Sequence, residues 1–400
     1  MADPSFLLDS RVPSPCFVID LDRLRQNARV LENVQKRTGA RIFLALKGYA
    51  CPGTFPLLSR ALGKGGPLYG TCASSVDEAR LGRGEFGGKV EAFAAAWSED
   101  EMRELVTLAD TIVFNSVAQW HRFRDIVKAA PRPIECGLRI NPEHSEGAVP
   151  IYDPCSPISR LGIRRRDMPD GIMSEGISGL HFHTLCEQGA DALARTVEAV
   201  EKSFAPFLEQ CSWINCGGGH HITRGGDDID LLVDVLNHLH DTYHAQIYLE
   251  PGEAVALNAG WLTATVLDIT EADMPLVQLD VSAACHMPDV LEMPYRPGLL
   301  YECGGELRQA GEPGTGKWTC RLGGKSCLAG DVIGVYSFDE PLRTGQRVLF
   351  QDMAIYSMVK TTTFNGLRLP SIATVEDRPG GTDFRLLRTF GYDDFRGRLG

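Results

Sequence analysis

No stretch of this 400-residue sequence approaches the length needed to cross a bilayer, and its twelve cysteines contain no Cys-x-x-Cys pair. The first absence argues against a transmembrane protein. The second, with cysteines scattered rather than clustered, argues against a disulfide framework and favours free thiols in a reducing cytoplasm. Positive charge is also in deficit. Forty Lys and Arg face 52 Asp and Glu, a net charge of −12. That balance disfavours nucleic acid and anionic membrane as partners and suits a cationic ligand. Met1–Arg11 holds neither a basic segment nor a long apolar one, so no signal peptide is expected. Internal repeats, low-complexity segments and charged tails are absent as well. What remains is 44% apolar and 23% charged, the composition of an ordinary globular enzyme. The length exceeds a typical single core, so two domains are expected.

From about residue 20 to 255, short apolar runs alternate with amphipathic stretches. Asp20 is a candidate N-cap, followed by Leu24, Ala28, Leu31 and Val34 at helical spacing. Strand candidates end near Lys47, Ser74, Ala95, Asn115, Asn141, His183, Gly217 and Glu250. Helix-like segments at 75–82, 98–109, 117–129, 190–209 and 227–240 lie between them. Eight strands with intervening helices predict a TIM-type (β/α)8 barrel over 20–255, with an open doubly wound sheet as the alternative. Chemistry in such a barrel sits at the C-terminal strand ends. Residues 256–400 change character. Strand-like runs at 261–270, 276–282, 317–322, 331–337, 347–351 and 357–365, separated by Gly/Pro turns, predict an antiparallel β domain. The segment 1–19, with the apolar run Cys16-Phe-Val-Ile19, is expected to join it. The Pro-rich loop 142–160 is long enough to suggest a functional role.

Lys47 ends the run Arg41-Ile-Phe-Leu-Ala-Leu-Lys47, which reads as a buried strand. A lysine amine in a desolvated pocket is a nucleophile toward carbonyls, and pyridoxal phosphate (PLP) is the commonest partner of such a lysine. The plainer reading is that Lys47 marks where the strand meets water. Cys216-Gly-Gly-Gly-His220 follows the strand Trp213-Ile-Asn and suits close backbone approach to a phosphate. Glu250, in Tyr248-Leu-Glu-Pro-Gly252, could keep a pyridine nitrogen protonated. His183, in Leu180-His-Phe-His183, could lie over a flat cofactor. A rival assigns His181, His183, His220, His221 and Glu250 to a metal at the mouth of a barrel hydrolase.

Together, Lys47, His183, Gly217-Gly-Gly219, Glu250, Cys327 and Tyr356 resemble the fold-type III PLP decarboxylases, relatives of alanine racemase. The carboxynorspermidine/carboxyspermidine branch is the most similar. Tyr152-Asp-Pro-Cys155, Ser159-Arg-Leu-Gly162, Cys285-His-Met-Pro-Asp-Val-Leu-Glu-Met-Pro-Tyr-Arg-Pro297, Ser326-Cys-Leu-Ala-Gly-Asp331 and Met358-Val-Lys-Thr-Thr-Thr-Phe-Asn-Gly366 carry that choice. The resemblance implies that Lys47 carries PLP, His183 stacks on its ring and Glu250 pairs with its nitrogen. It implies that Gly217, Gly218, Gly219 and Tyr356 hold the phosphate, with no metal. It also implies a homodimer in which Cys327 reaches the partner's site. Glu253 and Leu328 stand where ornithine-type enzymes usually have arginine and aspartate, which argues against ornithine. The expected substrate is a carboxylated polyamine, with Glu253, Asp289 and Asp331 as ligands for its cationic amines. Diaminopimelate, ornithine or arginine decarboxylation and a non-enzymatic PLP carrier are the alternatives. A carrier, however, lacks a C-terminal β domain.

Overall fold

Two patterns of hydrophobicity build two different units. The computed structural model describes residues 4–147 and 149–400. It divides into Arg25–Val255 and a second unit made of the residues before Arg25 with Ala256–Gly400. Strand β1 (Cys16–Asp20) belongs to the second unit.

The first unit carries β2 (Arg41–Ala45), β3 (Gly70–Ala73), β4 (Lys89–Phe93), β5 (Thr111–Phe114) and β6 (Glu135–Asn141). A two-residue β7 (Ile163–Arg164) edges β6. Then come β8 (Gly179–His181), β9 (Trp213–Asn215) and β10 (Gln246–Leu249). All pairings are parallel, in the order β5-β4-β3-β2-β10-β9-β8-β6, and β5 pairs β6 to close the ring. This is the eight-stranded barrel expected from the alternating runs. Its helices begin where short polar side chains can satisfy free N–H groups. Ser98 accepts from Glu101 N at 3.2 Å while the Glu101 carboxylate accepts from Ser98 N at 2.8 Å, opening Glu99–Leu108. Ser116 opens Val117–Lys128 by accepting from Gln119 N at 3.1 Å, and Asp228 opens Ile229–Tyr243 by accepting from Leu231 N at 2.9 Å. Each such cap contributes about 1 kcal/mol. Ala190–Leu208 turns Leu193, Val197, Val200, Phe204 and Phe207 inward at helical spacing.

The bore is filled, not hollow. Phe43, Val113, Trp213 and Tyr248, from four different strands, form one buried cluster. Space for Trp213 comes from Gly137 and Gly179 on the neighbouring strands β6 and β8. An added Cβ on either residue would run into the indole.

The second unit holds β11 (Gly260–Glu271), β12 (Pro275–Leu279), β13 (Leu299–Cys303), β14 (Glu306–Gln309), β15 (Trp318–Gly323), β16 (Val332–Phe338) and β17 (Arg347–Gln351). It ends with the hairpin of β18 (Ser371–Arg378) and β19 (Gly381–Arg388). The main order is β14-β13-β17-β11-β1-β18-β19, with β12, β15 and β16 branching from β11. Most pairings are antiparallel, as expected, and two parallel pairings make the sheet mixed. β1 runs parallel to β18 and β12 parallel to β15. β1 joins this unit as anticipated, and Leu7, Val12, Cys16, Val18, Leu349, Ala373 and Val375 pack together there. The expected strand at 357–365 is instead a series of turns. Tyr356 and Asn365 adopt φ values of 43° and 57°, which no extended strand accommodates. Among the described residues, no helix is long and apolar enough to cross a membrane.

Candidate active site

The barrel's strand ends bring Lys47, His181, His183, the glycine turn and Glu250 into one neighbourhood. Lys47 lies just past β2. Leu46 N donates to Cys72 O at 3.1 Å and Ala45 N to Pro251 O at 3.3 Å, tying this segment to both flanking strand ends. Gly48 packs so closely on the loop after Glu250 that an added Cβ would lie 2.7 Å from Gly252 Cα. The Lys47 side chain is exposed, yet its charge acts on the buried Cys72 and His181 and on His183.

Beneath it lies a fully internal polar network. Glu250, at the end of β10, is 4% exposed and Asn215, at the end of β9, is 0% exposed. Asn215 Nδ2 donates to Glu250 Oε1 at 2.6 Å and to Glu91 Oε1 at 2.6 Å. Gly217 N donates to Asn215 Oδ1 at 2.8 Å, which fixes the amide orientation. Glu250 Oε2 meets His181 Nε2 at 3.4 Å. His181 stacks on Phe93, with centroids 5.5 Å apart, and the Arg139 guanidinium carbon lies over the Phe93 ring, 4.7 Å from its centroid.

Two buried carboxylates at this separation disfavour double ionisation. Donor atoms of Cys72, Glu91 and Glu250 lie within 4.8 Å of one another. Two negative charges about 5 Å apart repel by roughly 3 kcal/mol even at an effective dielectric constant near 20. Burial, and then the Glu250 charge, hold Glu91 well above the usual carboxylate range. Burial opposes ionisation of Glu250 too, but His181 and the hydrogen bond with Glu91 outweigh it and hold Glu250 well below that range. His183 is kept neutral by burial first, then by the charges of Lys47 and Arg139. Its Nδ1 accepts from Gly218 N at 3.1 Å, so its proton sits on Nε2.

Gly217 and Gly219 adopt left-handed φ values of 67° and 87°. An added Cβ on Gly218 would strike Glu250 O, and one on Gly219 would strike Leu185 O. The turn is therefore glycine for reasons of approach. Two of its N–H groups already serve the protein, Gly217 toward Asn215 and Gly218 toward His183, which narrows the expected open cradle for an anion.

The remaining expected residues fall elsewhere. Glu253 pairs with Arg224 at 3.3 Å, and its side chain is only 14% exposed. In the second unit, Asp289 is ion-paired with Lys360. Asp331 is buried and accepts from Ala284 N at 3.2 Å and Ser326 N at 3.1 Å, a turn-holding role. Cys327 is exposed, and its N–H donates to Asn365 Oδ1 at 3.0 Å. Tyr356 holds a strained left-handed backbone, a feature that clusters at functional sites. The four-histidine metal set does not form. His181, His183 and Glu250 lie within donor range of one another, but His220 Nε2 bonds to Gly217 O at 3.2 Å and His221 sits with Glu187 and Glu253. Glu91, Asn215, Arg139 and Phe93 were not anticipated from the sequence.

The neighbourhood fits PLP: an exposed amine at a strand end, a neutral imidazole, a buried anion and a close-approach glycine turn. His181 Nδ1, buried without a hydrogen-bond partner, marks polar capacity the protein itself leaves unused.

Comparison with known proteins agrees. Residues 19–215 match the family described as alanine racemase, N-terminal domain. The chain is 44% identical over 393 residues to carboxyaminopropylagmatine decarboxylase of Synechocystis sp., covering 98% of this chain and 96% of that one. It is 36% identical over 388 residues to carboxynorspermidine/carboxyspermidine decarboxylase of Campylobacter jejuni, covering 96% and 98%. The crystal structure of carboxynorspermidine decarboxylase complexed with norspermidine from Campylobacter jejuni superposes with a TM-score of 0.84 at 36% identity, covering 96% of this chain and 99% of that one. Diaminopimelate decarboxylase from Helicobacter pylori complexed with L-lysine has a TM-score of 0.80 over 99% of both chains, but at 15% identity it shares the fold alone. With this identity across nearly its whole length, the chain is a decarboxylase and belongs to the carboxynorspermidine/carboxyspermidine decarboxylase family.

Proposed function

We propose that this chain uses PLP to decarboxylate a carboxylated polyamine, carboxynorspermidine or carboxyspermidine, in polyamine biosynthesis. The observation that carries the reading is Glu250, a buried anion fixed by Asn215 and His181 in the same barrel mouth as Lys47. Lys47 would hold the cofactor through its amine, His183 would lie against the ring, Glu250 would face the ring nitrogen, and Gly217–Gly219 with Tyr356 would flank the phosphate. When bound, PLP supplies an electron sink for the pair left on carbon as carbon dioxide departs. Glu250 serves that sink by keeping a proton on the ring nitrogen. A proton from Cys327 Sγ, or from water, then takes the place of the lost carboxylate.

Cys327 is proposed to act in a partner subunit's site within a homodimer, which suits its exposure. Mixing Lys47→Ala and Cys327→Ala proteins should then restore activity through heterodimers. No recovery despite demonstrated subunit exchange would place each site within one chain. A cytoplasmic location is part of the same proposal, since all twelve cysteines are free.

Glu253, Asp289 and Asp331 remain the proposed ligands of the substrate's cationic amines. Arg224 and Lys360 hold the first two carboxylates now, so a substrate cation would have to compete with a protein cation for each. A second reading, carboxyaminopropylagmatine as substrate, is favoured by the 44% identity to the Synechocystis enzyme, against 36% to that of Campylobacter jejuni. Its guanidinium end suits a bidentate carboxylate. The test measures kcat/KM for carboxynorspermidine, carboxyspermidine, carboxyaminopropylagmatine, ornithine and diaminopimelate, with the wild type, Glu253→Gln and Asp289→Asn. Preference for ornithine or diaminopimelate would end the polyamine assignment. Near-native values for both variants on the preferred substrate would end the roles of Glu253 and Asp289.

A further inference from the structure

Glu91 is 0% exposed at the middle of β4. β4 and β9 stand four strands apart around the eight-stranded ring, so the bond from Asn215 to Glu91 crosses the bore. Each hydrogen of the Asn215 amide is used, one toward Glu91 Oε1 and one toward Glu250 Oε1. The other Glu91 oxygen, Oε2, is buried and receives no hydrogen bond. As an anion, Glu91 would leave that oxygen bare beside a second carboxylate. As an acid, it carries the proton and has Glu250 as its acceptor.

We propose that Glu91 is a positioning residue: a neutral carboxylic acid that shares the Asn215 amide with Glu250 and holds Glu250 as the pair's single anion. The part of this that concerns the cofactor rests on the PLP reading above. The pair carries one proton and one negative charge. Every nearby element is consistent with that count. Cys72 on β3, its Cα paired with that of Glu91, is held in its neutral thiol form by burial. On β8, His181 contacts Glu250 and is pushed toward its neutral form by burial. Lys89, two residues before Glu91, is ion-paired with Glu135, and Arg139 on β6 is a cation that acts on Glu250. With Glu250 as the only anion of the pair, a protonated ring nitrogen would face one negative charge, in a position set by Asn215, His181 and Glu91.

Infrared spectroscopy, taken as the difference between unlabelled and 13C-glutamate-labelled protein with and without PLP, tests the proton directly. A buried carboxylic-acid band at neutral pH should shift with 13C-glutamate labelling and vanish in Glu91→Gln. No such band, or one that persists in Glu91→Gln, overturns the proposal. The positioning role is read in the loaded enzyme. Glu91→Leu removes the donor and should lower kcat on the order of 10- to 100-fold, the effect of losing a hydrogen bond to a charged group. It should also move the acid limb of the kcat profile upward, because Glu250 becomes easier to protonate. Glu91→Gln keeps an N–H for Glu250 and should recover most of both losses. If Gln is as damaging as Leu, the neutral-donor role is wrong. Should Glu91→Leu not fold, the band and the acid limb of Glu91→Gln decide the matter. A protein that binds no PLP would defeat the proposed function, while the band still decides where the proton sits.

Discussion

Two layers of the same barrel bore are built from the same strands and do opposite work. Along β9 the inward positions pass from Trp213 to Asn215, and along β10 from Tyr248 to Glu250. Two residues, one period of the pleat, separate an aromatic plug from a polar network. The lower layer stabilises by filling volume, with Gly137 and Gly179 making room for one indole. The upper layer buries an anion, which is costly unless each of its oxygens is satisfied, and here Asn215 and His181 do that. The contrast teaches that one strand can supply packing at one inward position and chemistry at the next, with Asn215 making its 2.6 Å contacts directly above the aromatic layer.

Perturbing the two layers should therefore give different signatures. The largest effect is expected at the mouth. Lys47→Ala should lower kcat on the order of 1,000-fold or more, as loss of a covalent catalytic group does, with unfolding stability near wild type. Glu250→Gln comes next. Removing the buried anion should lower kcat by about 100- to 1,000-fold, again with little change in thermal midpoint. Steady-state kinetics beside thermal melts would check both, and a melt that collapsed with the activity would erase the distinction between layers.

In the lower layer the signs reverse. Trp213→Ala should destabilise by about 3–5 kcal/mol, read from denaturant midpoints, while the folded fraction keeps its cofactor absorbance. Gly179→Ala should cost about 1–3 kcal/mol by pressing a methyl group into the indole.

The last effect is graded, a dependence on pH that is small over any one pH unit. Glu91 keeps its proton in the folded state above its ordinary value of 4.5. The unfolded chain gives that proton up earlier, so the stabilisation from neutral Glu91 is complete below that value and is lost as pH rises through the folded one. Glu250 has the opposite sign: its contribution is present above 4.5 and is lost as pH falls through its depressed folded value. Relative to Glu91→Gln, the wild type should lose about 1.4 kcal/mol per pH unit between those limits for Glu91. Denaturant midpoints of the two proteins from about pH 5 to about pH 9 measure that slope. Parallel curves would mean that Glu91 is already ionised.

The mouth was more legible in the sequence than the bore. Lys47, Gly217–Gly219 and Glu250 are conspicuous because lysine, triple glycine and glutamate are poor packing choices at the ends of apolar strands. The cap Asp20 was legible because a short polar side chain precedes apolar periodicity, and its carboxylate accepts from Asp22 N at 2.9 Å and Arg23 N at 3.0 Å. Glu91 was not. In Lys89-Val-Glu-Ala-Phe93 the polar residues alternate with apolar ones, which reads as a strand with a solvent face. Here that phase points into the bore, and only closure of β5 on β6 makes it interior. Asn215 was hidden for the same reason, since one of its partners, Glu91, comes from a strand distant in sequence and across the bore. At 357–365, β-branched residues suggested a strand, but the left-handed residues Tyr356 and Asn365 decide otherwise.

The central claim is that the polar layer floors a PLP site whose covalent anchor is Lys47. Borohydride reduction of the purified, cofactor-loaded protein, followed by peptide mapping, tests it most directly. The account predicts a reduced pyridoxyl group on the peptide containing Lys47 and on no other. A protein that takes up no cofactor, or a label on a different lysine, would contradict it.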